Sequence, residues 1–190
     1  MTRHRLREAL EAVAAVLPTL GAPAMLIGGF AAIARGVPRT TRDIDVTIAG
    51  GAVAPEVLLR RFEAGGFDAR IEGALAFAAR SQVLLLRHRS TGVEVDASLA
   101  WLSFELEALA NATSVVLAGA ELPVARAEDL VIYKALAWRP RDQDDVEALL
   151  VVEGRAMNLD RIRHVVAELS DALDDPDRRD ELEAMIARVL

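Results

Sequence analysis

Asp43 and Asp45 stand two residues apart in Asp43-Ile44-Asp45-Val46-Thr47-Ile48, where polar and apolar types alternate. In an extended strand, residues i and i+2 project from one face. This spacing sets two carboxylates side by side and turns Ile44 and Val46 to the opposite face. Aspartate is depleted in strands, and neighbouring carboxylates repel unless a proton or cation lies between them. A hard divalent cation satisfies both; magnesium takes one or two carboxylates together with substrate phosphates. The pair reads as a metal site in preference to a solvated strand face.

Upstream, Leu26-Ile27-Gly28-Gly29-Phe30 closes an apolar run with a glycine pair. Glycines between a strand and a helix let the backbone approach a ligand closely. The first N–H groups of the following helix point toward an anion. Alone, the pair fits a plain turn equally well; the carboxylates downstream favour a phosphate-binding turn. Asp96, in Val93-Glu94-Val95-Asp96-Ala97, adds a third carboxylate if its strand neighbours that of Asp43 and Asp45. Glu94 shares its parity, but the placement of Asp96 near the strand end suits it better. Such a group holds a second metal or acts as a general base on an attacking hydroxyl.

The 22 basic residues are arginines except one, Lys134. Codon bias with one lysine left over explains this as well as a need for a compact ammonium that a planar guanidinium cannot replace. Asp142, Asp144 and Asp145 follow shortly after, and fit helix N-terminal acids favoured by the macrodipole as well as functional groups. The three histidines (His4, His88, His164) show no metal-ligating spacing and read as solvated or structural. Trp101 and Trp138 read as packing residues.

Helical periodicity predicts helices over 5–17, 30–35, 55–64, 103–110, 128–138, 141–152, 159–171 and 177–189. Alternation and apolar runs predict strands over 24–27, 43–48, 83–87, 93–97, 115–117 and 122–124, with a hairpin around Ser90-Thr91-Gly92. The organisation is an α/β core over residues 1–125, then a helical portion over 126–190 expected to pack on it.

Composition narrows the class. The chain is 53% hydrophobic and 27% charged, which is globular and not disordered. No apolar run approaches the roughly 18 residues of a membrane span, and residues 1–10 lack a signal-peptide core. Cysteine is absent, so disulfides and thiolate metal sites are excluded. The net charge of −7 argues against sequence-independent duplex-DNA binding. A cytoplasmic location is expected.

Gly28-Gly29, Asp43-x-Asp45 and a later strand aspartate, Asp96, together resemble the nucleotidyltransferase superfamily related to polymerase beta. More narrowly, Arg39-x-Thr41-x-Asp43-Ile44-Asp45 looks like the AbiEii/MenT-type toxin nucleotidyltransferases and their bacterial relatives. The segments Glu128-Asp129-Leu130-Val131-Ile132-Tyr133-Lys134 and Arg141-Asp142-Gln143-Asp144-Asp145-Val146 extend the likeness, which spans roughly residues 25–150. The resemblance implies an α+β nucleotidyltransferase fold: a mixed sheet flanked by helices, with a C-terminal helical portion. It implies Mg2+ on Asp43, Asp45 and Asp96, and a nucleoside triphosphate held by Gly28, Gly29, Arg39, Thr41 and Lys134. Asp142 and Asp145 would position Lys134 or the acceptor. The expected reaction moves a nucleoside monophosphate to a hydroxyl of RNA, such as tRNA, of a protein or of a small molecule. A toxin neutralised by a cognate antitoxin is one setting for it. Two rivals use the same residues: a non-catalytic nucleotide-binding or toxin–antitoxin interaction module, and a hydrolase or other metal protein without nucleotide preference.

Overall fold

Alternating segments become strands, and 3.6-periodic ones become helices. The computed structural model describes residues 3–190, with the side chain of Arg3 set aside. The strands are β1 (Ala24–Ile27), β2 (Asp43–Ala49), β3 (Phe67–Ala69), β4 (Val83–His88), β5 (Glu94–Ala100), β6 (Thr113–Leu117) and β7 (Ala120–Val124). The helices are α1 (Arg3–Val16), α2 (Gly28–Ala34), α3 (Pro55–Ala64), α4 (Ala74–Ser81), α5 (Ser103–Ala110), α6 (Ala127–Ala137), α7 (Pro140–Glu153), α8 (Leu159–Ala172) and α9 (Asp177–Val189). A short 3-10 turn, Leu17–Thr19, follows α1 where Pro18 interrupts it.

The chain divides into two units. The first runs to Phe30 and resumes over Thr40–Ala125; the second comprises Ala31–Arg39 and Arg126–Leu190. The first holds one mixed seven-stranded sheet in the order β3-β4-β5-β2-β1-β7-β6. β2 runs parallel to β5 and antiparallel to β1, while β1 runs parallel to β7. Ile44, Val46 and Ile48 of β2, Val95 and Ala97 of β5, and Leu84 and Leu86 of β4 share one face and are wholly buried. This apolar face drives the sheet's burial. Asp43 and Asp45 lie on the other.

Two elements arise where the sequence pattern predicts none. Phe67–Ala69 is only three residues, too short for alternation to register. The Ala-rich α4 lies between Gly73 and Gln82, both with left-handed backbone, which confine it to eight residues. α2 also begins two residues ahead of its predicted start. Gly28 and Gly29 are therefore its first residues, and β1 passes into it directly.

His88 is buried beside Phe67, their ring centroids 5.1 Å apart, with Nδ1 2.8 Å from Thr91 Oγ1. Burial holds its imidazole below the ordinary histidine range; Glu8 opposes the shift and Arg89 adds to it. The unfolded chain takes up this proton near the ordinary value of about 6.5, the folded chain only at lower pH. The stability present above that value is lost as pH falls through it toward the folded value. The thermal unfolding midpoint should be lower at about pH 5.5 than at about pH 7.5. In His88→Gln that difference should shrink.

The second unit packs α6 against α7 and α8, with α9 against both of those. Leu130, Val131, Ala135, Val146, Leu149, Leu150, Ile162 and Val166 form its core. Trp138 packs there under the Arg178 guanidinium, 5.2 Å from the ring centroid. Trp101, read from sequence as a packing residue, is instead 68% exposed. It sits in the turn between β5 and α5, where Glu105 accepts its backbone N–H at 3.0 Å and the indole is left outside. No helix among the described residues is long and apolar enough to cross a membrane.

Candidate functional site

The parallel pairing of β2 with β5 sets Asp43 opposite Glu94 and Asp45 opposite Asp96. Partners in register share a face, so four carboxylates stand on two adjacent strands. β1 continues the row on the other side, with Ile27 paired to Asp45. The sheet thereby brings together the three aspartates singled out by spacing, and adds Glu94.

Thr41 is buried, and its hydroxyl donates to Asp43 Oδ1 at 2.8 Å. The hydroxyl thus restrains the carboxylate at the open end of β2. Gly28 flanks Asp45 from the end of β1. Its φ is +61°, and a Cβ there would lie 2.0 Å from Asp45 Oδ2 and 2.6 Å from Cγ. Any larger residue drives the Asp45 side chain from its place. Gly28→Ala also places a side chain in the left-handed region, at a cost of about 1–3 kcal/mol. It should weaken divalent-metal binding about tenfold or more while the protein stays folded, as isothermal calorimetry would read.

Arg70 is the residue the sequence reading missed. Its N–H donates to Leu85 O at 2.8 Å, which continues the β3–β4 pairing by one residue and aims the side chain at the carboxylate face. Nη1 lies 2.5 Å from Glu94 Oε2, and Nη2 lies 2.9 Å from Asp96 Oδ1. Arg87 also reaches Glu94, at 3.3 Å. Burial pushes the Asp96 carboxyl above the ordinary carboxylate range; Arg70 pulls it down, while Asp43 and Glu94 push it further up.

Carboxylate oxygens are the donors a hard divalent cation takes, and the missing side chain at Gly28 leaves the Asp45 carboxylate its place. Among the described residues, no three carboxylate or imidazole side chains are gathered into a ligating group. Asp43 and Asp45 lie on one strand, with Asp43 accepting from Thr41, and Asp96 is held by Arg70.

In the second unit, Lys134, Asp142, Asp145 and Arg39 form a separate cluster. Lys134 is buried on α6, with Nζ 2.5 Å from Asp145 Oδ2 and 3.6 Å from Asp142 Oδ1, both on α7. Arg39 Nη1 donates to the same Asp145 oxygen. Asp142 also accepts the backbone N–H of Arg139 at 3.2 Å, and so caps α7.

No protein-family model matches the sequence, and no curated protein matches it. The fold does have neighbours among solved structures. The solution structure of the antibiotic-resistance factor ANT(2'')-Ia aligns with a TM-score of 0.64 at 16% identity, covering 95% of this chain and 99% of that one. A crystal structure of ANT(2'')-Ia in complex with adenylyl-2''-tobramycin gives 0.59 at 17% identity, over 88% and 98% of the two chains. The lincosamide antibiotic adenylyltransferase LnuA, lincomycin-bound, gives 0.53 at 13% identity, over 80% and 98%. At these identities the likeness is one of fold: a mixed sheet flanked by helices with a helical C-terminal region, as in nucleotidyltransferases.

Proposed function

We propose that this chain is a magnesium-dependent nucleotidyltransferase that moves a nucleoside monophosphate from a nucleoside triphosphate to an acceptor hydroxyl. The observation that carries the reading is the register of β2 on β5, which aligns Asp45 with Asp96 beside the side-chain-free turn at Gly28.

Asp43 and Asp45 would hold the magnesium, with Thr41 restraining Asp43. When bound, the metal supplies positive charge to the phosphate oxygens as negative charge builds there. Gly28 and Gly29, the first residues of α2, would let the triphosphate approach the backbone. Asp96 takes the acceptor's proton, a role that suits a carboxyl raised by burial. The acceptor oxygen bonds the α-phosphorus, the bond from that phosphorus to the bridging oxygen breaks, and pyrophosphate leaves. Lys134 and Arg39 are proposed as phosphate-contacting cations on the sequence resemblance alone.

Two lines of support bear on the acceptor. The fold neighbours carry antibiotic names, which favours a small-molecule hydroxyl. The Arg39-x-Thr41-x-Asp43-Ile44-Asp45 pattern favours an AbiEii/MenT-type toxin acting on tRNA or protein and met by an antitoxin. The test incubates the protein with each α-labelled triphosphate and magnesium, against tRNA, total protein and a panel of hydroxylated antibiotics. Label should move to one acceptor class with pyrophosphate release, and Asp43→Ala/Asp45→Ala should show none. Nucleotide binding without pyrophosphate release across the panel would identify a non-catalytic module. Folded protein that binds no triphosphate with magnesium in calorimetry would sink the proposal.

A further inference from the structure

The acidic face already contains a cation of its own. Arg70 spans Glu94 and Asp96 with its two terminal nitrogens, at 2.5 and 2.9 Å. Its side chain is 18% exposed, whereas those of Glu94 and Asp96 are 47% and 38% exposed. The arginine side chain is thus the more buried partner. It is delivered by backbone pairing at the end of β3, not by a mobile loop: its own N–H is bonded to Leu85. The guanidinium bridges the two carboxylates, one charge-assisted bond to each. Arg70 takes one lone pair of Asp96 Oδ1 and sets a positive charge where a divalent ion would bring its own.

We infer that Arg70 is a resident counter-cation that holds Asp96 in the metal-free protein and competes with the divalent ion for the carboxylate face. It acts through Asp96 and Glu94, so it is a positioning residue. It keeps Asp96 ordered amid like charges. The inference rests on the reading of this face as a metal site. It adds a sign that reading lacks: removing the arginine should strengthen metal binding. A residue that merely supports the fold would weaken binding when removed, or leave it alone.

The test is Mn2+ binding to the full chain, followed by electron paramagnetic resonance of the free ion, without nucleotide or acceptor. Arg70→Met should bind Mn2+ about tenfold more tightly than wild type, the order expected for one lost positive charge a few ångströms from a divalent ion under partial screening. Arg70→Lys retains the charge and should stay within about twofold of wild type. Unchanged or weaker binding by folded Arg70→Met, with wild type binding normally, overturns this inference alone. Absence of binding by both forms overturns the metal-site reading and this inference with it. A measurement on unaltered protein guards against a misfolded variant. The Arg70 Nε–Hε resonance, assigned by its loss in Arg70→Lys, should move as magnesium is added. A resonance that stays fixed at saturating metal overturns the inference.

Discussion

Asp45→Asn is expected to lower nucleotide transfer by about two to three orders of magnitude, the size of a lost charge-stabilising interaction at a reacting phosphate. Asp43→Asn should fall in the same range. Both substitutions keep shape, remove the charge and turn one acceptor oxygen into a donor nitrogen. Stability gives the companion readout, and its sign separates a functional carboxylate from a structural one. Asp43 contributes to the upward shift of the Asp96 carboxyl, so its charge is felt across the pair as repulsion. Its link to Thr41 survives, because an asparagine oxygen accepts the same hydroxyl. Asp43→Asn should therefore keep this restraint while losing metal binding and turnover, and its unfolding temperature reports any further role of the charge in the fold. A fall of several degrees would mean the carboxylate serves the fold. Full turnover in either variant would refute the metal-site reading.

The same electrostatic argument shows how the acidic face is tolerated at all. Four carboxylates on two neighbouring strands repel, and burial sharpens the repulsion at Asp96. Arg70 and Arg87 offset part of it through Glu94 and Asp96.

What the sequence disclosed was mostly local. Alternation over 43–48 is a period-2 signal confined to one strand, so the shared face of Asp43 and Asp45 follows from spacing alone. The same holds for helices with strong boundaries: Pro55–Ala64 begins at a proline and ends at a glycine pair, and Ser103–Ala110 starts at the Glu105 capping contacts. What stayed hidden is non-local. The register of β2 on β5 joins segments some fifty residues apart, and only a condition, strand adjacency, could be stated for Asp96. Arg70 lay deeper still. It follows a three-residue strand, and its partners stand 24 and 26 positions downstream. No motif marks an arginine whose meaning depends on two ladders closing at once. The Trp101 error has the same root: a large apolar residue is normally inside, but a turn between two elements can leave one out.

Lys134 is where composition and burial meet, and its replacement should cost the most stability. Its ammonium is 2.5 Å from Asp145, whose side chain is 6% exposed, and 3.6 Å from Asp142. Lys134→Met keeps the stem but strips the charge, leaving a buried carboxylate with one partner fewer. Removing one member of a buried ion pair costs about 3–5 kcal/mol. Arg39 still donates to Asp145, so a loss of about 2–3 kcal/mol is expected, read as a lower denaturant midpoint at unchanged slope. Lys134→Arg discriminates between the two accounts of the solitary lysine. If drift alone left it, arginine should be accepted here as at the other basic positions. If the cluster needs a compact ammonium, a guanidinium must enter space already bounded by Arg39, Asp142 and Asp145. Overpacking of that kind costs about 1–3 kcal/mol. The burial of Lys134 favours the second outcome. Double replacement with Asp145→Asn should recover part of the Lys134→Met loss, because the orphaned charge is then gone. Additive losses in that cycle would show that the two side chains are not coupled.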